Sequence, residues 1–409
     1  MNSNYVVHSI IFVFLLLGCT NTSSQNEKDY EWLGTWNTSP QLVEPYNMPP
    51  EPGLTNNTLR QVLRVSIGGD SLKVRFSNEF STSPVTIQSA QIAVSKGGSA
   101  IDTTTITDLK FAGNNAFTME PGVVATSDAV SFGLQSRMDV AITIYFGETS
   151  PDVTGHPGSR TTSFILPGNN ISASEFVGDV KTDHWYVING IDVKAPKSAG
   201  AIAILGNSIT DGRGSGVNKQ NRWPDILSEQ LVKNEATSLV SVLNQGIGGN
   251  CVLRECLGPA AIDRFERDVL KQENVRWLII FEGINDLGQT PDSIVAMQVA
   301  NDIVAAYDKM IALAHENNIL VYGATIMPVG KSFYYAGYKD AARNFVNDWI
   351  RNSGKFDAVI DFDKIMRDPN DTICLLPDVH SGDFLHPNEF GYETMGKSID
   401  LKLFETVME

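Results

Sequence analysis

The sequence predicts an all-β sandwich of jelly-roll type over residues 31–195, followed by an α/β domain with a parallel sheet over residues 199–409. A change of period predicts it. Up to about Val193 apolar residues recur at every second position, whereas beyond Pro196 short apolar runs alternate with segments of helical spacing. A chain of 409 residues suits two domains, and 42% hydrophobic with 19% charged residues excludes disorder over most of it.

Residues 1–18 read as a leader. The apolar run VVHSIIFVFLLL at 6–17 is about 12 long, too short for a bilayer that needs about 20, and fits the core of a signal peptide. Leu16-Leu17-Gly18-Cys19 resembles a bacterial lipobox, in which Cys19 would carry lipid. The alternative is an ordinary secretory signal with a chance cysteine, although the leader lacks the usual Lys or Arg. Residues 19–30 form a polar tether. The expected address is a bacterial cell envelope, with the chain lipid-anchored at the outer membrane, its face left open, and no other membrane contact.

In the first domain Leu63, Val65 and Ile67 alternate with polar residues, Gly68-Gly69-Asp70 turns, and Leu72, Val74 and Phe76 alternate again. That pattern predicts a hairpin with one buried face. Val140, Ile142, Ile144 and Phe146 repeat it, and no stretch of helical period interrupts the series.

In the second domain the apolar runs Ala201–Leu205, Leu239–Leu243, Trp277–Phe281, Ile319–Thr325 and Ala358–Ile360 are the strands. Ser293–Asn317 and Ala341–Ile350 carry apolar residues at three- and four-residue spacing, as helices do. A parallel sheet covered on both faces places ligands beyond the carboxyl ends of its strands, so the loops after the runs are where chemistry is expected.

Those loops hold four groups of interest. Ser208 in GNSITDG stands at a strand-to-helix junction, where it either projects a nucleophile or merely caps the helix. The glycine pair of NQGIGGN exposes backbone N–H donors or makes a plain turn. Asn285 in EGIND can aim an amide at an oxyanion, or serve as a loop residue of left-handed geometry. In DFLHP, followed by Asn388 as a helix cap, Asp383 can reach round to hold the ring of His386, a base for a serine hydroxyl, or the pair is a helix-capping Asp and a chance His. Together they supply a nucleophile, donors, a base and its orienter.

Composition narrows the partners. With 31 basic against 47 acidic side chains the net charge is −16, which disfavours nucleic acid and anionic membrane surfaces and suits a neutral substrate or polymer. Four cysteines exclude a disulfide scaffold, and six histidines without paired spacing give no expectation of a catalytic metal. No cofactor is expected.

In order, GNSITDG, NQGIGGN, GIND and DFLH resemble blocks I, II, III and V of the SGNH/GDSL hydrolases, with GNS where the family's nickname has GDS. The first half, from GTWNTSPQ to TGHPGSRTTSF, is similar to the β-sandwich that precedes this domain in a bacterial subgroup, many members of which accompany polysaccharide-degrading enzymes. The resemblance implies a flavodoxin-like three-layer catalytic domain. It also implies a triad of Ser208, His386 and Asp383 with an oxyanion hole of Ser208 N–H, Gly249 N–H and the Asn285 amide. Cys251 departs from the family's pattern, where an Arg is expected; with Cys256 it makes either a small disulfide or two free thiols. The implied activity is serine-esterase cleavage of carboxylic esters, foremost O-acetyl groups on a plant polysaccharide such as xylan. A lipid or lysophospholipid esterase is the alternative, and a non-catalytic carbohydrate-binding protein another, with Trp32, Trp36 or Trp185 as stacking residues or ordinary core aromatics.

Overall fold

The computed structural model describes residues 29–405, so the leader, the lipobox-like sequence with Cys19 and the tether up to residue 28 lie outside the described residues. Two antiparallel sheets form the N-terminal half. One orders strands Tyr30–Asn37, Ile188–Pro196, Gly69–Asn78 and Val130–Leu134; the other includes Ser163–Pro167, Asn57–Arg64, Asp139–Phe146 and Val85–Gly97. Their facing side chains, among them Leu59, Leu63, Ile142 and Ile144 from one sheet and Leu33, Leu72, Val74 and Phe76 from the other, are buried in one cluster.

One expectation is corrected. Residues 57–64 and 69–78 do not pair as a hairpin: the first strand pairs with Asp139–Phe146 and Ser163–Pro167, the second with Ile188–Pro196, Val130–Leu134 and Val123–Thr126. The chain crosses between sheets at residues 65–68. Alternation reports which side chains face the core, and both sheets of a sandwich face the same core, so the pattern cannot distinguish pairing from crossing. Trp36 and Trp185 are likewise core residues, packed edge to face with ring centres 5.0 Å apart, and Trp32 lies beneath the Lys73 ammonium.

The C-terminal half is a five-stranded parallel sheet of Gly200–Gly206, Val240–Gly246, Val275–Phe281, Leu320–Ala324 and Ala358–Ile360. The second strand lies outside the first, and the third, fourth and fifth follow on the other side, the flavodoxin-like order. Successive residues enter opposite cores: Ile202 and Ile204 pack on one face, Ala203 and Leu205 on the other. Burial on both faces is why these strands read as unbroken apolar runs. Helices Ser293–Glu316 and Gly337–Asn352 cover one face, and Trp223–Lys233 and Glu389–Lys397 the other.

The halves share more than a linker. Ala201 and Leu243 of the parallel sheet, with Ala199 just ahead of its first strand, belong to the sandwich's apolar cluster. Across the junction, the buried His156 of the sandwich spans the Ser39 carbonyl (2.9 Å) and Asp211 Oδ1 (2.8 Å), three residues beyond Ser208. Gly158 presses its backbone against that same carboxylate: a Cβ there would lie 1.8 Å from Asp211 Oδ2.

Candidate active site

The first parallel strand ends at Gly206 and turns into a single helical turn, Ser208–Asp211. Asn207 caps it, its side chain accepting from Ile209 N–H at 3.1 Å, so Ser208 is not the cap and its hydroxyl is free for another partner. That partner is His386, whose Nε2 lies 2.9 Å from Ser208 Oγ. The other ring nitrogen, Nδ1, lies 2.6 Å from Asp383 Oδ2. A carboxylate only accepts, so Nδ1 carries the proton and Nε2 offers its lone pair to the serine hydroxyl.

The loop around Asp383 fixes this arrangement. Asp383 Oδ1 accepts from the backbone N–H groups of Leu385 (3.0 Å) and His386 (2.9 Å), which ties the short DFLH turn into one rigid unit. Burial alone would raise the Asp383 carboxyl, but these bonds and the His386 ring outweigh it and hold it at about 2. His386 moves down from the ordinary imidazole value. Burial is the main cause, the guanidinium groups of Arg213 and Arg160 add to it, and Asp383 opposes. A lowered value keeps the ring neutral at neutral pH, as a base requires.

The loop after the second strand carries Gly249 at φ +72°, and a Cβ there would lie 2.8 Å from Leu257 Cδ1, so both backbone angle and space favour glycine. Among the described residues no protein oxygen accepts from the N–H of Ser208 or Gly249. Asn285 opens the short helix Ile284–Gly288 after the third strand. Its Nδ2 donates to the Asn250 carbonyl at 2.7 Å and its Oδ1 accepts from Tyr334 Oη at 2.9 Å, which fixes the amide's orientation and leaves one N–H to point elsewhere. Ser208, Gly249, Asn285 and His386 line one cleft of about 300 Å³.

Further residues brace this site, and among them Arg264 carried no sequence signal. Asn250 Oδ1 accepts from Arg264 at 2.9 and 3.1 Å, and Arg264 also donates to the carbonyls of Gly206 (3.0 Å) and Gln245 (2.7 Å). One fully buried guanidinium thus ties together the ends of the first two strands. Asp286 accepts from Val252 and Leu253 N–H at 2.8 and 3.1 Å, joining the third loop to the second. Cys251 and Cys256 form a disulfide in the segment between Gly249 and Leu257. Cleft residues Gln41, Glu44, Tyr46, Asn47, Arg160 and His184 come from the sandwich, as does His156 behind it. Of these, Gln41 closes the marked segment GTWNTSPQ, and His156 and Arg160 lie in TGHPGSRTTSF. Among the described residues no group of three or more His, Cys, Asp or Glu side chains is placed to hold a metal ion.

Comparison with known proteins agrees in part of the chain. Residues 204–394 match the model of the GDSL-like lipase/acylhydrolase family. Solved structures with similarity to about half of this chain include a lipase/acylhydrolase from Enterococcus faecalis, at 20% identity, covering 49% of this chain and 92% of that one, with a TM-score of 0.37. A member of the lipolytic G-D-S-L family from Veillonella parvula is 24% identical over 49% of this chain and 96% of its own, TM-score 0.37. An acetyl xylan esterase is 20% identical over 48% and 96%, TM-score 0.37. No curated protein matches. Over residues 204–394 the chain is thus similar to the GDSL-like lipase/acylhydrolase family, a family of ester hydrolases.

Proposed function

We propose that the protein is a serine esterase that removes O-acetyl groups from a plant polysaccharide or oligosaccharide such as acetyl-xylan. The observation that carries the catalytic part is the unbroken line from Asp383 through His386 to Ser208 Oγ, with contacts of 2.6 and 2.9 Å, at the wall of an open cleft. His386 Nε2 takes the Ser208 proton as Oγ attacks the ester carbonyl carbon. The carbonyl oxygen becomes an oxyanion that accepts from Ser208 N–H, Gly249 N–H and the remaining Asn285 amide hydrogen. His386 returns the proton to the leaving alcohol oxygen, and acyl-Ser208 remains. Water then gives its proton to His386, attacks the acyl carbon and releases the acid and the free serine.

The carbohydrate part rests on the mouth of the cleft. Tyr46 from the sandwich is 77% exposed and Phe333 from the hydrolase domain 74% exposed, and both line it. Large aromatic faces left in water beside a polar cleft suit the apolar face of a sugar ring, with the hydroxyls directed at the polar wall. The same reading puts the mature chain on a lipid at Cys19 in the bacterial envelope.

The test is acetate release from acetylated xylan by the mature protein beside Ser208→Ala. Release by the parent and a loss of about 10⁴-fold or more in the variant are expected. Equal release by both would overturn the assignment of Ser208. Cleavage of 4-nitrophenyl acetate by the parent without release from xylan would keep the esterase and remove the substrate.

A further inference from the structure

Almost every arginine in the described residues has an oxygen, sulfur or carboxylate partner. Arg160 and Arg213 are the two that have neither a side-chain hydrogen bond nor an ion pair there, and both line the cleft. The Arg160 Nε is buried without a partner. Two unpaired guanidinium groups in one cleft of a molecule with net charge −16 are not a by-product of composition.

Both are held there by the backbone. Arg213 N–H donates to the Ser208 carbonyl at 2.9 Å, and its own carbonyl accepts from Tyr392 Oη at 2.7 Å, on the helix that follows the His386 loop. Arg160 sits at φ +51°, a left-handed conformation that a long side chain seldom adopts, and its carbonyl accepts from Asn218 N–H at 2.9 Å. Of the carboxylates near them, Glu44 is engaged by Gln41 (2.7 Å) and Asn47 (3.0 Å) and Asp383 by His386, while Asp211 is held by His156 through Oδ1 and keeps Oδ2 without a partner.

Position decides which part of the substrate they meet. His386 protonates the leaving alcohol, so the alcohol lies on the His386 side of the cleft; Arg213 is tied to that side through Tyr392, on the helix after the His386 loop, and Arg160 lines the same cleft. Leu257 and Tyr334 instead pack beside Gly249 and Asn285, on the side of the carbonyl oxygen and acyl group.

We propose that Arg160 and Arg213 form an anion subsite for the alcohol half of the ester, so that the preferred substrate is an acetylated sugar that itself carries a carboxylate, a uronate, rather than a neutral one. A planar guanidinium meets a carboxylate with two parallel hydrogen bonds, which a neutral hydroxymethyl group cannot reproduce. The inference rests on the carbohydrate-esterase reading and changes its substrate from neutral to acidic.

The experiment compares kcat/KM for O-acetylated methyl galacturonoside and the matched O-acetylated methyl galactoside, which differ only in carboxylate against hydroxymethyl. The parent is expected to favour the acid by about tenfold or more, and Arg213→Gln to bring the ratio towards one, with Arg213→Lys retaining part of it. The ratio cancels any effect of the arginine on His386. Arg160→Gln should act in the same direction, and 0.5 M NaCl on the parent, which needs no variant to fold, should also reduce the ratio. A parental ratio near one would overturn the subsite, while Ser208-dependent release from the neutral sugar would leave the esterase standing. A high ratio unmoved by both variants and by salt would also overturn it. Cleavage of 4-nitrophenyl acetate with neither sugar touched removes the subsite alone; no cleavage of any of the three removes the esterase as well.

Discussion

Each half of the chain has a fully buried arginine that gathers backbone carbonyls, Arg60 in the sandwich and Arg264 in the hydrolase domain, and the two are put to different use. Arg60 in the sandwich donates to Thr143 Oγ1 (2.9 Å) and to the carbonyls of Ser99 (2.5 Å) and Ala173 (2.7 Å), beneath the Phe176 ring and with no carboxylate partner, and burial lowers its pKa to about 10. Arg264 in the hydrolase domain also gathers carbonyls, but they belong to Gly206 and Gln245, and Asp268 (2.8 Å) balances its charge, with the Glu282 carboxyl 3.7 Å away. The first arginine pins loops against its own sheet. The second pins the strand ends from which Ser208 and Gly249 spring. In one domain stability and catalysis are separable; in the other the same side chain serves both.

The contrast breaks most visibly with matched substitutions. Arg264→Met should cost about 3–5 kcal/mol, because the strand-end carbonyls lose a charged donor and Asp268 is left with Arg267 and Ser39 alone. Any folded fraction should lose about a hundredfold or more in kcat as the donors shift. Arg60→Met should cost about 3 kcal/mol or more while folded protein keeps the parental kcat/KM. Thermal unfolding beside active-site-titrated turnover checks both, and equal kcat losses would remove the contrast.

Smaller effects sharpen it within the hydrolase domain. Asn285→Ala should lower kcat by about 10²–10³-fold, whereas Tyr334→Phe should cost about tenfold or less, since the Asn250 carbonyl still holds the amide. Steady-state kinetics on 4-nitrophenyl acetate separates the two. Opening the disulfide in a Cys251→Ser, Cys256→Ser double variant should cost about 2 kcal/mol for so short a loop. The kcat should fall by less than for Asn285→Ala, because Asp286 and Arg264 still hold the segment.

The smallest effect concerns pH. Burial, with Asp286 adding and Arg264 opposing, raises the Glu282 carboxyl from 4.5 to about 8. The folded state therefore keeps a proton that the unfolded chain releases above about 4.5, so this contribution is present in full at low pH and is lost as pH climbs towards 8. Between pH 5 and 8 the parent's melting temperature should fall relative to Glu282→Gln; parallel curves would contradict the raised value.

How much of this was legible follows from the range of each interaction. Strands buried on both faces announce themselves as apolar runs, and the residues of the loops after them were readable because Ser208, Asn285 and the DFLH turn each lie within a few residues of a run or a helix cap. Asp383 and His386, three apart, hold each other locally. Arg264 joins Gly206, 58 residues away, and His156 joins Asp211, 55 away, through single side chains without local pattern. Strand pairing at residues 57–78 failed to show for the related reason that period two records facing and not partnership. The net charge averages over the whole surface, so it carried no signal of the two arginines that line the cleft.

Gly158 gives the domain boundary a different meaning. Its backbone lies where a single methyl group would strike Asp211, so Gly158→Ala would act as a wedge driven between the halves at the level of the active site. The break in texture near residue 196 is thus a seam in the sequence but not a hinge in the molecule. Excising the hydrolase domain there would strip one wall from the cleft that Ser208 lines, and grafting the loops of another sandwich onto it would transplant that wall.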